Sequence, residues 1–463
     1  MLGQPNIVTI SLHWLRSCTD ITIIVRKGRL QVINIAWPII LSNLSTPLLG
    51  LVDTAVIGNL GDAALIGAIA VGGIIFSFLF WGFGFLRMGT TGLVAQAVGA
   101  DDHELAKASF YRALVLAVLI GLTLILFQSP ILGFALLMID GSTQVEVAAA
   151  TYVQIRIWSA PLNLASLALM GYLLGTQKSR QILLIQLVLN GTNIALDFLF
   201  VVGFEWGVAG VAWATVIAEV VAFILGMTIL VRTLRTHSER LSINLVELLD
   251  IQSIKHMLAV NRDIMIRTIS LIFAFAWFTN QGAKSGDVLL ATNAILMQFV
   301  SFSAFFLDGF ALAGESMVGN ALGAKKQKAL GQAIRHVFEL GTITACILSL
   351  VFLVVGESVI RILTNVPAVI DASAEYLIWV YLAPVASVCC YVLDGIFIGA
   401  TRTREMRNAM LVSLMMYLAA FFLLEPAYGN HGLWLSLIVY FLARGLALFY
   451  YLPQISVASQ TRI

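Results

Sequence analysis

Trp37-Pro38-Ile39-Ile40-Leu41-Ser42-Asn43-Leu44-Ser45-Thr46-Pro47-Leu48-Leu49-Gly50-Leu51-Val52-Asp53-Thr54 is apolar enough to lie inside a membrane, yet it carries two prolines and a carboxylate. Proline leaves a helical carbonyl without its donor, and an ionisable side chain is expensive in hydrocarbon. A segment with both is expected to serve function. On a helical wheel Asn43, Thr46, Gly50 and Asp53 follow at i, i+3, i+7 and i+10, one narrow polar and small stripe on an apolar rod. Asp53 therefore faces protein or water, either as a functional acid or as a hydrogen-bond partner of a neighbouring helix.

The rest of the chain agrees with a membrane setting. Of 463 residues, 60% are hydrophobic and 11% charged, whereas soluble domains carry about 25% charged residues. Mean hydropathy is +0.94. A net charge of +2 gives no case for a nucleic-acid partner. The four cysteines, Cys18, Cys346, Cys389 and Cys390, have no ligand spacing and read as small core residues, so no metal site is indicated. Residues 1–29 lack a signal-peptide cleavage pattern and are broken by Asp20, Arg26, Lys27 and Arg29. They read as a short cytoplasmic arm, or as an addition from an upstream start codon.

Apolar stretches of spanning length begin near residues 32, 66, 110, 150, 181, 207, 258, 289, 333, 374, 408 and 431. Their spacing predicts an all-α integral membrane protein with twelve transmembrane helices. Basic residues collect on alternate connections: Arg26, Lys27 and Arg29; Lys107 and Arg112; Lys178 and Arg180; Arg232 to Lys255; Lys325 to Lys328; and Arg402 to Arg407. By the positive-inside rule both termini are expected in the cytoplasm.

An internal repeat orders these helices. Val94-Ala95-Gln96-Ala97-Val98-Gly99-Ala100 aligns with Val318-Gly319-Asn320-Ala321-Leu322-Gly323-Ala324, and Gly171 to Lys178 aligns with Gly395 to Arg402, each 224 positions on (99 to 323, 175 to 399). The chain thus divides into an arm (1–29), a first six-helix lobe (30–231), a cytoplasmic linker (232–257), a second lobe (258–455) and a tail (456–463). Six is even, so the lobes are parallel and an axis along the membrane normal relates them. In this alignment Phe278 and Phe421 stand where the first lobe has Asp53 and Asp197. Acidic chemistry is expected in the first lobe alone.

Helix 5 supplies the partner of Asp53. Gln186, Asn190, Asn193 and Asp197 lie at i, i+4, i+7 and i+11 on one stripe. Asp53 and Asp197 each lie roughly 8 to 9 Å inside the same external face, at about 1.5 Å per residue, so one site can hold both. Two carboxyls in a low-dielectric lobe can load and release a proton near neutral pH. Na⁺ is the other candidate, because carboxylate and amide oxygens suit hard cations. In the second half, Trp277, Phe278, Met297 and Phe302 are candidate walls of a cavity for flat apolar cations. Arg156 and Arg267 are expected to snorkel to helix ends; Arg87 lies deeper.

These features resemble the multidrug and toxic compound extrusion (MATE) family, in its DinF-like branch. The likeness rests on the two parallel halves, Pro47 and Asp53, the Asn193-x-x-x-Asp197 pair, and the run Arg87-x-x-Thr90-Thr91-Gly92-x-x-Ala95-Gln96-x-x-Gly99. The resemblance implies cation-driven antiport of amphipathic, often cationic drugs across the inner membrane, with no cofactor and no enzymatic activity. It implies that Asp53, Asn193 and Asp197 bind the coupling ion, H⁺ by branch or else Na⁺. Tyr152 and Thr215 match positions lining the same pocket, and Asn190 shares their stripe. Another branch carries acids in helices 7 and 8; here Asp308 and Glu315 do not match that pattern, so no coupling is expected there. Pro47 is a candidate hinge. A lipid-bathed monomer with small-molecule substrates is expected. A lipid-linked saccharide flippase is the alternative within transport. A membrane-embedded enzyme is the alternative outside it, disfavoured because His103-Glu104 lacks the second histidine of a metalloprotease motif and no phosphate loop is present.

Overall fold

A computed structural model of the chain describes residues 7–58, 63–138, 142–236 and 245–461. Among them all regular structure is helical. The spanning elements are α1 (Ile7–Gly58), α2 (Ala63–Trp81 and Phe85–Gly99), α3 (His103–Leu126), α4 (Thr143–Arg156 and Ala160–Gly175), α5 (Ser179–Asp197, widening into a π turn at Phe198–Gly203), α6 (Gly207–Thr236), α7 (Ile251–Lys284), α8 (Asp287–Gly323), α9 (Gln327–Leu363), α10 (Pro367–Gly399), α11 (Thr403–Tyr428) and α12 (Asn430–Thr461). Eleven of the twelve are long and apolar enough to cross a bilayer by composition. The exception, α7, has the length, but Arg262, Asp263 and Arg267 near one end and Asn280-Gln281 near the other dilute its apolar run.

Local sequence accounts for the breaks. Gly82-Phe83-Gly84 interrupts α2, and α4 passes through a 3₁₀ turn, Ile157–Ser159, just before Pro161. The expected arm does not stand apart, because Ile7 to Arg29 continue directly into α1. Likewise the linker narrows: α6 runs on to Thr236, and the short helix Leu245–Leu248 docks on α3, where Arg112 donates to the carbonyls of Glu247 and Leu248. The connections near residues 60, 140 and 240 lie outside the described residues.

The repeat predicted from sequence is also a repeat of packing. In the first lobe α4 packs on α2 and α3, α5 on α6, and α1 on α5; in the second α10 packs on α8 and α9, α11 on α12, and α7 on α11. Between lobes α1 meets α8 as α7 meets α2. Even backbone irregularities recur at the same interval: the left-handed residues Asp101 and Lys325, Gln177 and Thr401, and Glu205 and Gly429 are pairs 224 apart (101 to 325, 177 to 401, 205 to 429). The first two pairs close their helices by bonds back across the last turn, such as Asp102 N to Ala97 O at 2.9 Å and Lys326 N to Ala321 O at 3.0 Å. Where α2 crosses α8, a side chain on Gly99 would strike the Asn320 carbonyl and one on Gly323 would strike that of Gln96. Glycine there lets the lobes touch backbone to backbone.

The second lobe has its own apolar core, in which Phe278 packs edge-on to Trp434 at 5.0 Å between ring centroids and Phe421 edge-on to Trp277 at 5.7 Å. Aromatic rings thus occupy the positions the acids hold in the first lobe. Three cysteines divide: Cys390 is buried, Cys389 is half-buried, and Cys346 is exposed, contrary to its expected core position, while the surroundings of Cys18 lie outside the described residues.

Candidate functional site

α1 and α5 pack along their lengths, so the stripes predicted on each face one another. Asp53 is 8% exposed; Asn193 and Asp197 are fully buried. The two carboxyls face one and the same amide, that of Asn193, and two carboxyls so placed away from water disfavour a state in which both are charged. Asn193 bridges the pair. In the amide orientation that satisfies both its ends, its nitrogen donates to Asp53 Oδ1 at 3.3 Å and Asp197 Oδ2 at 3.0 Å, and its oxygen accepts from Thr215 Oγ1 at 3.2 Å and Thr215 N at 3.3 Å. Asp197 is the last residue before the π turn, an irregularity frequent at functional sites. Its Oδ1 is buried with no hydrogen-bond partner.

The wall behind this pair is more charged than the sequence suggested. Tyr152 is buried beside the acids, and its hydroxyl accepts from Arg156 Nη1 at 2.7 Å. Arg156 does not snorkel. Its guanidinium stays in the lobe, 4.7 Å from the centroid of Phe76, because Tyr152, Phe76 and the buried Glu219 give it partners that a helix end lacks. Glu219 accepts from Asn163 Nδ2 at 3.0 Å. Sequence reasoning missed Glu219, although it sits at i+4 from Thr215 on the same face of α6. Asn190 stands apart from the acids: its amide donates to the Ser45 carbonyl of α1 at 3.1 Å and its oxygen accepts from Gln186 at 3.0 Å. It braces α1 just before Pro47.

The aromatic candidates of the second half separate. Of the four, Met297 lines the cavity described next. Phe278 and Trp277 belong to the core packing above, and Phe302 is exposed and packs on Phe306 and Phe352. The cavity itself, about 520 Å³, lies between the break in α2 and helices α7, α8, α10 and α12. Trp81, Phe275 and Phe305 contribute apolar wall. Its polar wall corrects the expectation that acids are confined to the first lobe: Asp308, Glu315 and Asp394 line it together with Arg87, Arg267 and Arg444. Arg267, also expected to snorkel, is buried instead and pairs with Asp394, as does Arg444 Nη2 at 2.7 Å. Arg87, in the first turns after the α2 break, faces Glu315 at 3.8 Å.

Comparison with known proteins follows the same outline. The MatE family model matches residues 38–199 and again 264–423, one stretch in each lobe. The DNA damage-inducible protein F of Escherichia coli is 41% identical over 90% of this chain and 90% of its own length. A probable multidrug resistance protein NorM of Acinetobacter baylyi is 25% identical over 88% of this chain and 92% of its own. Among solved structures, one described as an outward-facing conformation of a multidrug resistance MATE family transporter of the MOP superfamily superposes with a TM-score of 0.84 at 17% identity, covering 93% of this chain and 96% of that one. A multi-pass chain with this repeat, matched in both halves by one family model, belongs to the MATE family of membrane transporters and is not an enzyme.

Proposed function

We propose that the protein is a proton-coupled antiporter that expels amphipathic organic cations, with Asp53, Asn193 and Asp197 as its coupling site and Tyr152 and Thr215 as the wall around it. One observation carries the reading: two buried carboxyls that share a single amide, that of Asn193. Two carboxylates that close, away from water, cannot both stay charged, so one proton binds the pair together. A second proton, or loss of the first, changes the charge of the site by one.

Charge placement supports a cytoplasmic-membrane protein with both termini inside the cell. It works as a lipid-bathed monomer without a cofactor. The cavity's aromatic and methionine surface suits flat apolar bodies, and Asp308 and Glu315 suit their positive charge. A saccharide flippase would need cationic groups free to hold a pyrophosphate, whereas the three arginines here are opposed by three carboxylates. Ethidium efflux from proteoliposomes tests the reading. An inward-directed proton gradient alone is expected to drive it, and a Na⁺ gradient at equal pH is not; efflux driven by Na⁺ alone would overturn proton coupling.

A further inference from the structure

The two seams between the lobes are related by the repeat, yet they differ at the ends that carry the basic connections. At one seam α1 packs on α9. A side chain on Gly28 would strike the His336 ring there, and Arg29 Nε donates to Glu339 Oε2 at 3.2 Å. At the other seam the corresponding residues are Gln252 and Arg112 (28 to 252, 112 to 336). Both line a cavity of about 720 Å³, within the roughly 300–1,000 Å³ of small-molecule sites. Its charge is of one sign: Arg112 of the first lobe and Lys325 and Arg402 of the second line it, and no carboxylate does. Arg112 is 6% exposed, and its guanidinium donates to the backbone carbonyls of Glu247 and Leu248, which carry no charge to cancel its own. Acids stand beside the cavity, already engaged: Glu405 accepts from Arg402 Nη1 at 2.9 Å, and Asp250 caps α7 by accepting from Ser253 N at 2.8 Å. Gln96 and Thr401, which bond to each other between the lobes at 3.1 Å, also line it. The cavity thus borders the contact that closes this face.

We propose that this seam cavity binds a phosphate-bearing anion, held by Arg112 from one lobe and by Lys325 and Arg402 from the other. Phosphate oxygens accept several charge-assisted hydrogen bonds at once, and the guanidinium fork matches their geometry. A ligand that reaches both lobes favours the arrangement in which they touch, so it holds this face shut and acts as a brake on alternation. A soluble phosphate ester and the headgroup of an anionic lipid offer the same chemistry. The site goes beyond the efflux reading above and depends on neither its coupling ion nor its drug.

Equilibrium dialysis of the purified full-length protein against radiolabelled inorganic phosphate, in nanodiscs of phosphatidylcholine, tests the site. Saturable binding is expected, and sn-glycerol 3-phosphate should compete for it. Lys325→Gln and Arg402→Gln should each weaken it about tenfold, the loss of one charge-assisted bond. Both positions are on the protein surface, and Gln177 already takes the left-handed turn that Lys325 takes in the other half, so these variants are expected to fold. Lys326→Gln, one residue on and outside the cavity lining, should leave binding unchanged. Nanodiscs containing phosphatidylglycerol separate the sources: loss of phosphate binding in them assigns the site to a lipid headgroup, and unchanged binding assigns it to a soluble phosphate. No saturable binding of phosphate, together with no difference between the wild type and Arg402→Gln in retaining phosphatidylglycerol through purification, overturns the proposal. Equal weakening by Lys326→Gln does so too, because it would mark a diffuse basic surface. The brake is read by labelling of Ser316→Cys with an impermeant reagent on inside-out vesicles, which the bound anion should slow in the wild-type background and not in Arg402→Gln; labelling at the same rate with and without it overturns the bridging of the lobes. Ethidium efflux enters none of these readouts, so failure of the efflux reading leaves them standing, and their failure leaves the efflux reading untouched.

Discussion

Gln96 and Asn320, 224 positions apart in the chain (96 to 320), make the same bond in opposite directions across the lobe interface. Gln96 Nε2 donates to the carbonyl of Gly399 at 2.9 Å, and Asn320 Nδ2 donates to that of Gly175 at 3.0 Å. Gly175 and Gly399 are themselves a repeat pair (175 to 399), so the two bonds are related by the axis between the lobes. Ser316 Oγ adds a bond to the Leu174 carbonyl at 2.7 Å. All lie near the ends of α2, α4, α8 and α10 that carry the basic connections. A transporter that alternates must break them.

Gln96→Ala and Asn320→Ala should therefore act in the same direction, Gln96→Ala the more strongly. Asn320→Ala removes one bond between the lobes, and Gln96→Ala removes its counterpart and a second, to Thr401 Oγ1 at 3.1 Å, each worth about 0.6 kcal/mol on average in membranes, and the double variant should approach the sum. Labelling of Ser316→Cys by an impermeant reagent on inside-out vesicles reads the opening. Acceleration by one single substitution and none by the other would refute a shared role for the two bonds.

Neutralising either member of the acid pair should end coupling. Asp53→Asn and Asp197→Asn each leave one carboxyl with no acid to share a proton, so efflux driven by a pH gradient should vanish while drug binding stays measurable. Full efflux by both variants would place coupling elsewhere. Thr215→Ala should be milder, because Asn193 keeps the Thr215 backbone donor at 3.3 Å.

Phe278 occupies the repeat position of Asp53, but carboxylate chemistry cannot be transplanted there. Phe278 is 1% exposed and packs on the Trp434 ring, whereas Asp53 faces the Asn193 amide. Phe278→Asp should lower the melting temperature and the yield of folded protein, since an unpaired carboxyl would replace a packed ring. A variant of wild-type stability, or one with a second coupling pH, would show that this core is more open than its packing implies.

Orientation is tested by single tags on the connections. Tags at Glu205, Lys284, Asn365 and Gly429 should react with impermeant reagents on intact cells, and tags at Asp102, Lys178, Lys326 and Arg404 should not. Protection at Lys284 would argue against α7 as a span, and α7 is the helix whose composition argues for it least.

What the sequence could and could not reveal follows from which interactions are periodic. Apolar runs, the 224-residue repeat and the i, i+4, i+7, i+11 stripe of α5 recur at fixed spacing, so the helices, the lobes and the acid pair were all legible. Depth was legible too, and it was misleading for arginine. Arg156 and Arg267 lie close enough to helix ends to snorkel, but each has buried partners, Tyr152 four residues away and Asp394 127 residues away. Only the fold brings Asp394 to Arg267. Counting aromatics in α7 and α8 likewise says nothing of which face they take, and three of four candidates turn away from the cavity. Nor do Asp101 and Gln177 announce the left-handed turns that glycine would have marked.

The last prediction concerns Pro47. Before it, α1 is held on both sides: Asn190 of α5 donates to the Ser45 carbonyl at 3.1 Å, and Asn43 donates to the Phe305 carbonyl of α8 at 3.4 Å. After it, Asp53 ties α1 to α5 through Asn193. Pro47 has no N–H for the Asn43 carbonyl, which weakens the helix between these two zones. The inner part is thus anchored by neutral groups, while the outer part is held by a contact that depends on protonation. We expect protonation of both acids to free the outer segment to bend at Pro47 and narrow the space for drug. Pro47→Ala restores the missing donor and should slow turnover without changing the pH at which the acid pair titrates. Spin labels at Thr54 and Phe204 span the outer segment and α5, and labels at Leu41 and Leu184 serve as the anchored control. Distances for the first pair should differ between about pH 6 and about pH 8, conditions that bracket neutrality, while the control pair stays fixed. Identical distributions for Thr54 and Phe204 at both values would rule out the hinge, whatever Pro47→Ala does to transport.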